Sequence, residues 1–284
     1  MMARFGPAGN GIDFYDKGLK HTEQVPAFLK EMGLNAFEYQ CGRGVNISQE
    51  KALMLAPIFS QNGISVSLHA PYYISMSSLE EEKRLGSLKY VYQSALAVKA
   101  LGGNRIVIHS GSCGKQPREQ ALVKAVDTMT KAREMLVENG FSDVIMCPET
   151  MGKIGQLGTL DEVIALCEID ESIYPCIDFG HLNARTHGGL SKKEDFEDIF
   201  TLIENKLGSE RAKHFHSHFS KIEYTEGGEK RHLTFEDEIY GPSYELMLDC
   251  AAAHGCDMTV ICESDGTQAR DAKTMKDYFE EKSV

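Results

Sequence analysis

Nine side chains of this sequence carry the chemistry of metal ligation, and most of them stand at the end of a short apolar run. Ile64-Ser65-Val66-Ser67-Leu68 ends in His69, and Arg105-Ile106-Val107-Ile108 ends in His109. Val144-Ile145-Met146-Cys147-Pro148 leads into Glu149, and Tyr174-Pro175-Cys176-Ile177 leads into Asp178, with His181 three residues on. Phe215 to Phe219 interleaves His216 and His218, His232 lies in the segment beyond, and Thr259-Val260-Ile261-Cys262 ends in Glu263. Imidazoles and carboxylates suit a borderline divalent cation such as zinc, and a carboxylate can bridge two ions. One His after an apolar run is ordinarily a hydrogen-bonded residue at the edge of a core. Six run ends sharing ligand chemistry point instead to a metal cluster, because nothing in packing requires them to agree. His214 alternates with His216 and His218 but sits deepest, and reads as a buried or helix-facing residue. His187 and His254 read as surface residues.

These side chains need elements that bring them together. The β-branched apolar runs predict strands at Arg4–Gly6, Ala36–Gln40, Ile64–His69, Arg105–His109, Asp143–Glu149, Tyr174–Asp178, His214–Phe219 and Thr259–Glu263. Apolar residues at helical spacing predict helices over Gln24–Met32, Ser87–Ala100, Arg118–Glu138, Leu160–Cys167, Lys193–Leu207, Ser243–Ala253 and Asp271–Glu281, several of them stopped by glycine. Strand and helix in alternation argue for parallel βαβ units. About eight of them in this length fit one (β/α)₈ barrel spanning residues 1–284, with an open doubly wound sheet as the alternative. In a barrel, strand C-termini converge on one mouth, where catalytic groups gather.

Composition narrows the rest. The 284 residues are 42% hydrophobic, enough for a large core. Thirty Lys+Arg against 42 Asp+Glu leave a net charge of −12, which argues against broad backbone-only binding of nucleic acid. Divalent cations bound at one mouth would add positive charge there, so the acidic excess does not exclude an anionic substrate at that point. The eight cysteines form no C-x-x-C and several lie in apolar runs, which indicates reduced thiols. No signal peptide and no apolar run of the ~18 residues needed to span a bilayer is read, so a cytoplasmic protein without a membrane partner is expected. Gly111-Ser112-Cys113-Gly114-Lys115 fails the spacing of a phosphate loop, and no G-x-S-x-G elbow or H-E-x-x-H helix occurs.

In order and spacing these blocks resemble the endonuclease IV family, the zinc-dependent apurinic/apyrimidinic endonucleases built on a xylose-isomerase-like TIM barrel. The resemblance rests on His69-Ala70-Pro71-Tyr72-Tyr73-Ile74, on His109-Ser110-Gly111-Ser112, on Glu149-Thr150-Met151-Gly152, on Asp178-Phe179-Gly180-His181, on His216 with Ser220-Lys221, on Arg231-His232 and on Glu263. It implies three zinc ions. Glu149 would bridge two, His69 and His109 completing the first site and Asp178, His216 and Glu263 the second, while His181 and His232 would hold the third. The family's remaining ligand there is an aspartate two residues before His232. Lys230 stands at that position and cannot ligate while protonated, so His218 is the expected substitute. The resemblance also implies that Tyr72 lies near the lesion, and Arg43, in the short Cys41-Gly42-Arg43-Gly44 loop, is the candidate for gripping the duplex. The implied reaction is metal-activated hydrolysis of DNA 5′ to abasic sites, by a monomer with no obligate protein partner. A sugar isomerase or epimerase of the same superfamily, with one Mn²⁺ or Mg²⁺ on Glu149, Asp178, His216 and Glu263, is the alternative; the additional histidines favour the zinc reading.

Overall fold

The computed structural model describes residues 3–282. Eight parallel strands run in the order β1(Arg4–Pro7), β10(Thr259–Cys262), β7(His216–Phe219), β6(Cys176–Asp178), β5(Ile145–Glu149), β4(Arg105–His109), β3(Ser65–His69), β2(Ala36–Gln40). The ring is drawn together where β1 meets β2: Ala8 bridges to Glu38, and Gly9 N donates to Glu38 O at 3.0 Å. Glycine is required at this seam, because a Cβ on Gly6 would fall 1.8 Å from Ala36 O. Between β7 and β10 an antiparallel hairpin, β8(Lys221–Thr225) and β9(Gly228–Leu233), departs from the βα pattern.

Alternation along each strand sorts the side chains. Val66, Leu68, Ile106, Ile108, Met146, Ile177, Val260 and Cys262 face the helices and join the main core, whereas Val107, Cys147 and Cys176 form a separate cluster inside the barrel. By the same alternation the inner face carries Glu38 and Gln40, Ser67 and His69, Val107 and His109, Cys147 and Glu149, Cys176 and Asp178, His216 and His218. The interior therefore rises from an apolar and polar middle to a mouth of imidazoles and carboxylates.

The helices over Arg118–Glu138, Leu160–Cys167 and Lys193–Leu207 match the sequence periodicity at both ends. Those at Gln49–Gln61 and Phe179–Arg185 were not expected. The first is capped by Ser48 and carries Pro57 within it, and the second starts directly from a strand, with Asp178 as its N-cap. His214 is a correction: the strand begins at His216, and His214 instead closes the helix Ser209–His214, its Nδ1 donating to Glu210 O at 2.9 Å. The cysteines are free thiols, most of them buried, and among the described residues no helix is long and apolar enough to cross a membrane.

Candidate metal centre

Three groups of donor atoms meet at the mouth. His69, His109 and Glu149 form the first; Glu149, Asp178, His218 and Glu263 the second; His181, Glu229 and His232 the third. Glu149 belongs to two of them, at the end of β5 between the others. His69 Nε2 and His109 Nε2 each lie 3.4 Å from Glu149 Oε2, while His218 Nδ1 lies 3.1 Å from Glu149 Oε1.

Local structure fixes which nitrogen each ring presents. His69 Nδ1 lies 2.9 Å from Ala70 O, and His181 Nδ1 lies 2.9 Å from Thr150 O. A carbonyl only accepts, so both rings donate through Nδ1 and turn Nε2 toward the mouth, where it offers a lone pair whenever the ring is neutral. His232 Nδ1 is held by the Ser220 hydroxyl at 2.8 Å. Asp178 accepts from His181 N through Oδ1 at 2.7 Å, its capping bond, which leaves Oδ2 for another partner. Outer partners that orient imidazoles in this way are the usual surroundings of metal-binding histidines.

Two placements correct the sequence reading. His216 does not meet Asp178 and Glu263; it sits one layer below them, level with Cys176, with Nε2 2.9 Å from Glu38 Oε2. His218, level with Asp178, takes the position expected of His216 and lies apart from the His181–His232 group. The third group is completed by Glu229, whose Oε2 is 3.4 Å from His181 Nε2. The hairpin explains the change. Glu223 pairs with Arg231 and Tyr224 with Glu229, so Lys230 is the extra residue of a β-bulge. One inserted residue shifts the alternation and puts Glu229 and His232, three apart, on one face. Lys230 is turned out to Glu223 at 2.6 Å. Gly152 leaves room for this arrangement, since a Cβ there would fall 2.5 Å from Glu229 Cβ and 2.9 Å from His181 Cδ2.

Glu38 escaped the sequence reading because a single carboxylate inside Ala36–Gln40 looks like an ordinary exposed strand charge. It is fully buried, accepts from Ser67 Oγ at 2.9 Å, and lies 3.0 Å from His218 Nε2 as well as against His216. Burial pushes its carboxyl up, but His218 and His216 outweigh burial and hold it well below the ordinary value. The same contest runs through the mouth. Burial raises the Glu149 carboxyl, and His218, His181 and His69 bring it well below the usual range. Burial opposes charge on His181, yet Asp178, Glu149 and Glu229 lift the ring to about 10. His109 goes the other way, driven down to about 3 by burial against the pull of Glu149.

Tyr72 lies at the rim, 58% exposed, with its ring 5.1 Å from that of His109. Together with Met151, Lys153 and Gln156 it encloses a cavity of about 440 Å³ over the donor atoms. Arg43 is exposed on the loop after β2 and does not line this cavity.

The donor set fits divalent cations. Glu149 Oε2 and Asp178 Oδ2 are buried without a hydrogen-bond partner, and orphaned carboxylate oxygens in a protein interior call for a counter-charge. Protons on the surrounding histidines answer that demand in the ion-free protein, and a cation among the same lone pairs would answer it more fully.

Comparison with known proteins identifies the scaffold. Residues 26–281 match the family described as xylose isomerase-like TIM barrel. The chain belongs to that family. An uncharacterized protein of Methanocaldococcus jannaschii is 32% identical over 280 residues, 99% of this chain and 98% of that protein. A probable endonuclease 4 of Mycoplasma pneumoniae is 31% identical over 182 residues, 62% of this chain, so the match spans 60% of that relative's length. Among solved structures, endonuclease IV from Thermus thermophilus superposes with a TM-score of 0.68 at 18% identity, covering 98% of this chain and 99% of that one. A D-tagatose 3-epimerase-like protein superposes with a TM-score of 0.71, also at 18% identity, covering 99% and 100%. The fold is common to both, so chemistry has to be argued from the site.

Proposed function

We propose that this chain is a zinc-dependent phosphodiester hydrolase of the endonuclease IV type, which cuts DNA 5′ to abasic sites in base-excision repair. The observation that carries the reading is the sharing of Glu149 between two donor groups, with a third group held over the same mouth by the hairpin. His69, His109 and Glu149 would hold one ion; Glu149, Asp178, His218 and Glu263 a second; His181, Glu229 and His232 a third. Bound ions of this kind supply Lewis acidity toward a phosphoryl oxygen and an ionised water at neutral pH. The imidazoles present in every one of these groups favour zinc over a harder cation.

The chain's own residues account for binding. Lys153 places an ammonium on the cavity wall, suited to a phosphate oxygen. Tyr72 offers a ring face at the rim for the unstacked sugar or its neighbour, and Arg43 stands outside the cavity, where a duplex flank would pass. Burial first, then Glu263 and Glu149, push the Tyr72 hydroxyl up to about 12, so it stays a neutral donor.

A second reading draws on the second donor group alone. Glu149, Asp178, His218 and Glu263 make a complete four-ligand set, enough for one Mn²⁺ or Mg²⁺ in a sugar isomerase or epimerase, the activity named for several solved proteins of this fold. It leaves the third group without a task. A duplex with one central abasic site decides between them, read together with metal content. A nick 5′ to the site leaving a 3′-hydroxyl, with about three zinc ions per chain, supports the hydrolase; one manganese with ketose epimerisation and no nick overturns it.

A further inference from the structure

The opposite end of the barrel carries a second concentration of charge, of the other sign. Arg4 from β1, Ser65 and Ser67 from β3, Arg105 from β4 and Thr259 from β10, with Asn104, line a cavity of about 230 Å³. Arg4 and Thr259 are register partners, as are Ser67 and Arg105, so these side chains start from adjoining backbone. No carboxylate is among the lining residues, and neither guanidinium has a carboxylate of a described residue within the 4.0 Å of an ion pair. Arg105 is only partly provided for. Its Nη2 donates to His214 O at 2.6 Å and its guanidinium lies 5.6 Å from the Tyr174 ring centre, but Nη1 is buried with no acceptor. Burial pushes Arg105 down, and Arg4 acts in the same direction.

Two arginines at one small cavity, with hydroxyls and an amide beside them that can also donate, make its lining rich in donors and free of carboxylates. Guanidinium forks match the paired oxygens of phosphate better than any neutral ligand. The volume limits the guest: drug-sized ligands occupy roughly 300–1,000 Å³, whereas a water's share is about 30 Å³, so a single oxyanion with a few waters fits and a nucleotide does not. We propose that the base of the barrel is a binding site for inorganic phosphate, held by Arg4 and Arg105 with Ser65, Asn104 and Thr259, and joining β1, β3, β4 and β10 from within. The inference is independent of what the mouth catalyses.

Thermal unfolding of the full metal-loaded chain tests it, in about 20 mM phosphate against chloride of equal ionic strength, where a site near saturation raises Tm by on the order of 5 °C. Arg105→Met also releases the His214 carbonyl and risks the fold, so Arg4→Met is the deciding variant. It should remove most of the phosphate-dependent shift while leaving the nicking or sugar activity within about twofold, and it should abolish ³¹P line broadening by the base site. No difference between phosphate and chloride in the wild type overturns the proposal, showing that the His214 carbonyl and the Tyr174 face are all the guanidiniums need. An undiminished shift in Arg4→Met overturns it too, by placing the phosphate at the mouth.

Discussion

The two ends of this barrel are built from the same strands, yet they have opposite chemistry. The mouth gathers Glu149, Asp178, Glu263 and Glu229 among histidines, and the base holds Arg4 and Arg105. Chain direction accounts for much of the difference. Each parallel strand runs toward the mouth and its helix returns, so helix N-termini open at the mouth and C-termini at the base. Unpaired N–H groups and the positive dipole end favour carboxylates, as where Asp178 caps the helix Phe179–Arg185. Orphan carbonyls at the other end favour cations, as where His214 O, the last of its helix, accepts from Arg105. The fold thus pre-sorts charge along its axis, and the residues use that gradient in opposite ways: the mouth concentrates anionic ligands that demand cations, and the base concentrates cations that demand an anion.

The sharpest way to break this contrast is to remove the shared carboxylate. Glu149→Gln deprives two donor groups at once while leaving Ser110 Oγ bonded to the backbone carbonyl of residue 149, so the fold should persist. Because the ligands act as a unit, a loss of roughly 10⁴-fold in kcat/KM is expected on the abasic duplex, or on a ketose under the second reading. Metal analysis of the same variant should show at least one ion lost. Full occupancy with wild-type activity would mean that the mouth is only a hydrogen-bonded polar cluster, no more a metal site than the base is.

Next comes the carboxylate below the mouth. Glu38 touches both His216 and His218, so it lies between the two ends in depth and in role. Glu38→Gln keeps the shape and gives up the charge that holds His218, and should lower metal affinity in chelator competition by about 10–100-fold. Glu38→Ala opens a hole beside two buried imidazoles and should also cost about 2–5 kcal/mol in urea unfolding. If the Gln variant matches wild type in metal affinity, Glu38 serves packing alone.

These residues also show what the sequence could disclose. The strand ends that carry donor side chains were legible, because a short β-branched apolar run is a local pattern and His69, His109, Glu149, Asp178 and Glu263 each close one such run. Depth was not. Matching the family's strand-His block to His216 rather than His218 set that histidine two residues, one full layer of a barrel wall, too deep and exchanged the roles of the two. Only pairing with a neighbour, Asp178 beside His218, fixes the layer, and such pairing joins residues far apart in the chain. Glu38 was hidden for the same reason. The hairpin was lost differently, for its bulge exists only once two strands are aligned.

Steric room at the hairpin gives a smaller effect. Gly152→Ala must push Glu229 away or displace His181, because the new Cβ meets both. The strain should cost about 1–3 kcal/mol in chemical denaturation, with weakened occupancy of the third site and intact occupancy of the other two. Loss of all three ions together would make the mouth one inseparable cluster.

The smallest expected effect separates Lys230 from its neighbour. Turned outward by the bulge, Lys230 holds only Glu223 at the surface, and Lys230→Ala should change stability by no more than about 1 kcal/mol, since exposed pairs contribute little. Metal stoichiometry should not move. Glu229→Gln, one residue away, should lose the third ion and leave the fold intact. A chain without the bulge would give the reverse result, with Lys230→Asp adding a ligand and Glu229→Gln leaving the metals in place. The pair of variants therefore tests, through metal counting alone, whether one inserted residue in a hairpin decides which side chain faces the mouth.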